Sequence, residues 1–155
     1  HGILRSAAYA LQGNEVRSHM VFECVELIWN ILENAPSSRK LHLNENLTND
    51  TRDDRVLVNA VAQFIRDLMT DGYRQPDKEL RNEILIILSM LAAEPENCAA
   101  IHESGVISLL LAAACSPEIS QPSDSETPGL KNFCTTKDEE NIEMKRLCWS
   151  ILSSL

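Results

Sequence analysis

A chain of 155 residues is long enough for one domain with a substantial core. Its formal charge of -9 argues against a nucleic-acid backbone or an anionic membrane as main partner, since both call for basic surface. With 44% hydrophobic residues but 5% aromatics and only 5 glycines, the core must be built mostly from Leu, Ile, Val and Ala, which favours helices over strands.

The first 2–11 residues read as a short apolar helix with Ile3, Leu4, Ala7, Ala8 and Leu11 on one face. Asn14 is a candidate cap for a second helix running to 33. In it Val21, Val25, Ile28 and Leu32 form the core stripe, widened by Cys24, Leu27 and Ile31. Pro36 ends that helix, and 37–55 is polar and reads mainly as loop, with one weak helical turn around Leu41. Helix resumes over 56–69, with Leu57, Val61, Phe64, Ile65 and Leu68 inward, and Asp71-Gly72 stops it. Gln75-Pro76-Asp77 starts the next helix, 78–93, with Leu80, Ile84, Ile87, Leu88 and Leu91 inward.

A compact run follows. Glu94-Pro95-Glu96-Asn97 is a tight corner, with Asn97 expected to cap a short helix through His102. Ser104-Gly105 is a second corner, where glycine permits the left-handed conformation. An apolar helix spans 106–115, too short to cross a bilayer. The segment 116–137 holds Pro117, Pro122, Pro128 and Gly129 among many Ser and Thr, and is expected to bulge out as a mobile loop. A last helix covers 138–155, with Ile142, Leu147, Cys148, Ile151 and Leu152 apolar.

Three of these helices align without a gap: Leu27-Ile-Trp-Asn-Ile-Leu32, Ile86-Ile-Leu-Ser-Met-Leu91 and Leu147-Cys-Trp-Ser-Ile-Leu152. The step is 59 residues from Trp29 to Leu88 and 61 from Leu88 to Trp149. Pro36 and Pro95 repeat at the same step of 59, and Gly2-Ile3-Leu4 matches Gly105-Val106-Ile107. The chain is therefore read as repeated units of approximately 1–35, 36–94 and 95–155, with long loops at 37–55 and 116–137.

Long third helix, Pro-Glu-Asn corner, short first helix, Gly and apolar second helix appear in that order over 78–115, and this order resembles the armadillo family. The resemblance implies one all-α region over 1–155: an armadillo/HEAT-like right-handed α-solenoid with degenerate repeats and long inter-helix loops. An armadillo or HEAT unit is about 40–47 residues, and the loops account for the longer step here. Such stacks hold together by nearest-neighbour contacts and present a concave face lined by the third helices. Importin-like members carry Trp and, four residues on, Asn along that face. The aligned positions here are Leu27 and Ile31, Ile86 and Met90, and Leu147 and Ile151, so nuclear-signal binding does not carry over, and Trp29 and Trp149 take the family's core Leu position. Within the family, the pattern around 80–117 looks like the armadillo-type cilia- and flagella-associated proteins. That likeness implies a structural role in the axoneme of a motile cilium, with other axonemal or cytoskeletal proteins as partners. It implies no cofactor, no small-molecule substrate and no turnover. The alternative is a regulatory or adaptor armadillo region of a cytosolic protein, attached to an enzyme elsewhere in its chain.

The candidate partner-binding row is Leu27, Ile31, Ile86, Met90, Leu147 and Ile151, with Glu23, Asn82 and Glu143 one turn earlier. These residues either line a greasy groove that clasps a partner helix or fill the core, and apolar stripes more often mean core. Cys98 and His102, like His19 and Glu23, stand at a spacing metal ligands use, but neither pair has a third ligand nearby in sequence, so no metal is expected. Asp138-Glu139-Glu140 complements a helix dipole rather than forming an acid pair. No Gly-rich phosphate loop and no GxSxG turn occurs, so no catalytic residue is assigned. Five cysteines, Cys24, Cys98, Cys115, Cys134 and Cys148, with no CxxC pair, read as free thiols in a reducing, intracellular compartment. The sequons at Asn46 and Asn49 are then chance matches. Ser116-Pro117 and Thr127-Pro128 match proline-directed phosphosites, and Ser123 an acid-directed one. A start at His1 and a stop inside an apolar pattern at Leu155 suggest a piece of a longer protein.

Overall fold

The structure is a computed structural model that describes residues 2–13, 19–34, 51–70, 75–116 and 139–155. Among the described residues there are seven helices and no strand: α1 (Gly2–Gly13), α2 (His19–Asn34), α3 (Thr51–Thr70), α4 (Gln75–Ala92), α5 (Pro95–Glu103), α6 (Val106–Ala114) and α7 (Glu139–Ser154).

The apolar stripes fold where their periods place them. Val21, Val25 and Ile28 are buried on α2, and Leu57, Val61, Phe64, Ile65 and Leu68 on α3. All five expected positions of α4 are buried, and so are Leu85 and Ala92, because α4 is covered on several sides. Some edges differ. Helix α3 starts at Thr51, inside the segment expected to be loop, because its polar first turn carries no hydrophobic period to mark it. On α1, Ala7, Ala8 and Leu11 are buried but Ile3 is exposed. On α7, Met144, Cys148 and Ile151 form the buried stripe, whereas Ile142 faces solvent. The expected Asn14 cap, the turn near Leu41, and the loops over 37–50 and 117–137 lie outside the described residues.

The compact corners are explicit in their hydrogen bonds. Pro95 opens α5, where its missing N–H would have had no helical partner. Asn97 does not cap α5. It sits inside the first turn, and its Nδ2 donates to the Leu91 carbonyl at 3.0 Å, closing the end of α4 instead. At the next corner Gly105 has φ 73°, the left-handed region that disfavours any side chain. Arg66 of α3 braces this corner by donating Nη2 to the Ser104 carbonyl at 2.6 Å. The corner bends α5 against α6 by 91°, and no single helix among the described residues is long and apolar enough to cross a membrane.

The helices form two layers. In one, α3 packs between α1 and α6; in the other, α4 packs between α2 and α7. Each α1–α2, α3–α4 and α6–α7 pair is joined across the layers, and α5 wedges against α3, α4 and α6. The core runs through all of these contacts as one cluster, from Ala7 to Ile151. This is the all-α armadillo arrangement, in which successive units bury each other's apolar faces.

Candidate functional site

The layer of α2, α4 and α7 carries the row expected from sequence. On α2, Glu23 and Leu27 are exposed and Ile31 is half-buried, on the side away from Val21, Val25 and Ile28. Leu27, at 43% exposure, is therefore not part of the core stripe. On α4, Asn82, Ile86 and Met90 are half-buried on a helix otherwise nearly enclosed. On α7, Glu143 and Leu147 are half-buried, with Glu143 accepting from Arg146 Nη1 at 2.9 Å. Ile151 has 0% exposure and belongs to the core, not to a groove, because one helical turn places it in line with Cys148 and Met144.

The two tryptophans depart from their expected core position. Leu88 is fully buried, but Trp29 is half-buried and Trp149 is 49% exposed. The repeat register explains the difference. The flank of α4 formed by Arg81, Leu85, Leu88 and Ala92 is covered by α7, and Arg81 Nη1 reaches Asn141 Oδ1 of that helix at 3.2 Å. The corresponding flank of α2 is Phe22, Glu26, Trp29 and Glu33. Its contact with α4 is smaller than that of α4 with α7, and it carries large aromatic and charged side chains in place of Leu85 and Leu88. On α7 the matching flank, Ile142, Arg146, Trp149 and Ser153, is exposed.

What the splayed contact leaves is an open groove of about 370 Å³, lined by Phe22, Glu26, Trp29, Asn30 and Glu33 of α2 and Glu83 of α4. Burial pushes the Glu83 carboxyl above its ordinary value, and the nearby charges of Glu79 and Glu26 push it the same way. Asn30 directs its Nδ2 to the Glu26 carbonyl at 2.9 Å, so its amide donor is used within the helix. Of these lining residues the sequence marks only Trp29, and as a core position rather than a groove wall. The signal was present as spacing, since Phe22, Glu26, Trp29 and Glu33 recur along one flank, but mixed aromatic and acidic stripes score as neither core nor solvent face.

The remaining candidates resolve into local structure. Cys98 Sγ lies 4.0 Å from the Glu94 carbonyl one turn back, as a packed thiol does. His19 Nε2 and Glu23 Oε1 are 3.4 Å apart, and both side chains are exposed. Among the described residues no group of three His, Cys, Asp or Glu side chains converges as metal ligands would. Cys24, Cys98, Cys115 and Cys148 are free thiols; burial pushes Cys148 up to about 12 against the opposing effect of Arg81. Ser116 is buried and its Oγ donates to the Ala113 carbonyl at 2.8 Å, so this hydroxyl is not the exposed phosphosite that Ser116-Pro117 suggested. Ser123, Thr127 and Cys134 lie outside the described residues.

Comparison with known proteins places the chain. A family model described as "Cilia- and flagella-associated protein 69, ARM repeat" matches residues 5–155. Among curated proteins, cilia- and flagella-associated protein 69 of Homo sapiens is 25% identical over 133 residues, which is 86% of this chain and 13% of the relative. The proteins of the same name from Callithrix jacchus and Mus musculus are 26% and 25% identical over the same shares. The chain thus spans about 13% of the length of the curated relatives it matches. Order of helices, two-layer stacking and family match agree, and the chain belongs to the armadillo-repeat family of cilia- and flagella-associated protein 69.

Proposed function

We propose that this chain is a non-catalytic helical-repeat scaffold that holds partner proteins in register in the axoneme of a motile cilium or flagellum. The observation that carries the reading is the layer of α2, α4 and α7, where Leu27, Ile86, Met90 and Leu147 leave apolar surface accessible beside Glu23, Asn82 and Glu143. Apolar side chains at helical spacing with a polar border are the chemistry of a protein-binding face. Family membership supports the ciliary setting, since the relatives are named as cilia- and flagella-associated. The net charge of -9 suits protein partners with basic surface better than nucleic acid or anionic lipid.

Fractionation of ciliated cells tests this. Detergent strips membranes and soluble protein and leaves the axoneme. The protein is expected to stay with the axoneme through moderate salt, and a variant with Leu27→Glu and Ile86→Glu is expected to be released while keeping its helical circular dichroism. Full release of the unaltered protein into the soluble fraction would remove the axonemal reading and leave a cytosolic adaptor.

A further inference from the structure

The groove between α2 and α4 has a chemistry distinct from the apolar row. Its walls are the half-buried rings of Phe22 and Trp29. Among the described residues its ionisable lining is Glu26, Glu33 and Glu83, all acceptors, with Glu79 one turn before Glu83 on α4. No cationic side chain among the described residues pairs with any of these four carboxylates. Elsewhere the protein does pair its acids, as in Arg55 with Glu103 at 3.6 Å and Arg146 with Glu143 at 2.9 Å. On α4 this flank of the repeat carries the fully buried Leu85 and Leu88; on α2 the matching positions, Glu26 and Trp29, line the groove.

We infer that this groove is a docking site for an Arg- or Lys-bearing segment of a partner protein, whose cations lie against Trp29 and between the carboxylates of Glu26, Glu33 and Glu83. Three features select this occupant. A lining of acceptors and aromatic faces calls for donors that are also cations, and an Arg side chain satisfies both through stacking and bidentate hydrogen bonds. The carboxylates do not converge on one point as a metal site requires, which suits charges spaced along a chain. A partly open groove, with lining residues spread over three turns of α2, suits side chains of a peptide better than an enclosed small molecule. Cation binding also offsets the mutual repulsion that Glu83, Glu79 and Glu26 carry in the free protein. The inference rests on the reading of the chain as a protein-binding scaffold, but not on its place in the cilium.

The chain has two tryptophans, so a Trp149→Phe background leaves Trp29 as the only reporter. A short synthetic Arg–Ala repeat peptide is titrated into this protein while Trp29 emission is followed, with a Glu–Ala peptide of equal length as control. The Arg–Ala peptide is expected to give a saturable change and the Glu–Ala peptide none. Glu26→Gln with Glu83→Gln is expected to weaken binding about tenfold. Glu96→Gln with Glu103→Gln, on α5, removes the same two negative charges and is expected to leave affinity unchanged. Equal weakening by both pairs would reduce the effect to general attraction by an acidic protein and overturn the site. Absence of any Trp29 response in a chain with native circular dichroism would also overturn it. Either failure leaves axonemal retention, and so the scaffold reading, standing on its own test.

Discussion

Arg81 and Glu83 sit two residues apart on α4 and meet opposite electrostatic surroundings. Arg81 is fully buried, yet its Nη1 reaches Asn141 Oδ1 and its Nε reaches Asn82 Oδ1, each at 3.2 Å. A buried cation with such partners ties α4 to α7, because removing one partner would leave the other desolvated and unsatisfied. Among the described residues Glu83 has no such partner, and both burial and neighbouring acids raise its carboxyl from the ordinary value of 4.5. The folded state therefore holds this proton more tightly than the unfolded chain. Its contribution is most favourable below pH 4.5 and declines as pH rises through the raised folded value, so at neutral pH the ionised Glu83 works against the fold. Glu83→Gln is expected to raise the thermal midpoint by about a degree or two at neutral pH and not at acid pH. Thermal melts of both proteins at the two pH values check it, and a variant less stable at neutral pH would contradict the assignment.

At the scale of elements, the corners decide how one unit hands over to the next. Gly105 turns the chain between α5 and α6 at φ 73°. A methyl group there would stand 3.6 Å from Arg66 Nη2, which is an ordinary contact, so the cost of a side chain is in the backbone rather than in a clash. Gly105→Ala is expected to destabilise the protein by about 1–2 kcal/mol, read as a lower denaturation midpoint with an unchanged slope. This corner was legible in the sequence because glycine has a conformational role that no neighbour can supply. The Asn97 side chain departs from its expected role for the converse reason. Its position suggests a cap on its own helix, but the corner at Glu94-Pro95 turns the start of α5 back over the end of α4 and brings the Leu91 carbonyl within its reach. Helix starts were least legible where they are polar, as at Thr51, since a hydrophobic period is absent until Val56.

At the scale of the whole molecule, stability follows the stack. Helix α4 shares a large contact with α7 and a smaller one with α2, and the groove marks the weaker junction. In a protein held by nearest-neighbour contacts, the helix with the smaller interfaces opens at lower free energy. Native-state amide hydrogen exchange is expected to show backbone amides of α2, such as Ile28, exchanging through a cheaper opening than those of α4, such as Leu88. Equal protection of the two helices would mean that the α2–α4 junction is as cooperative as the rest.

The sequence by itself determined the helical class, the repeat, the corners at Pro95 and Gly105 and most of the core, because those depend on local conformational preference and on the period of apolar side chains. It also held the family resemblance, since the order of helix types survives where individual residues have changed. What only the tertiary structure decided is which flank of each third helix meets a neighbour. The same register position is fully buried as Leu88, half-buried as Trp29 and exposed as Trp149. Periodicity fixes the angle of a side chain about its own helix, but its burial depends on how closely the next helix approaches. That approach leaves Leu27 exposed and the acidic, aromatic groove open between α2 and α4.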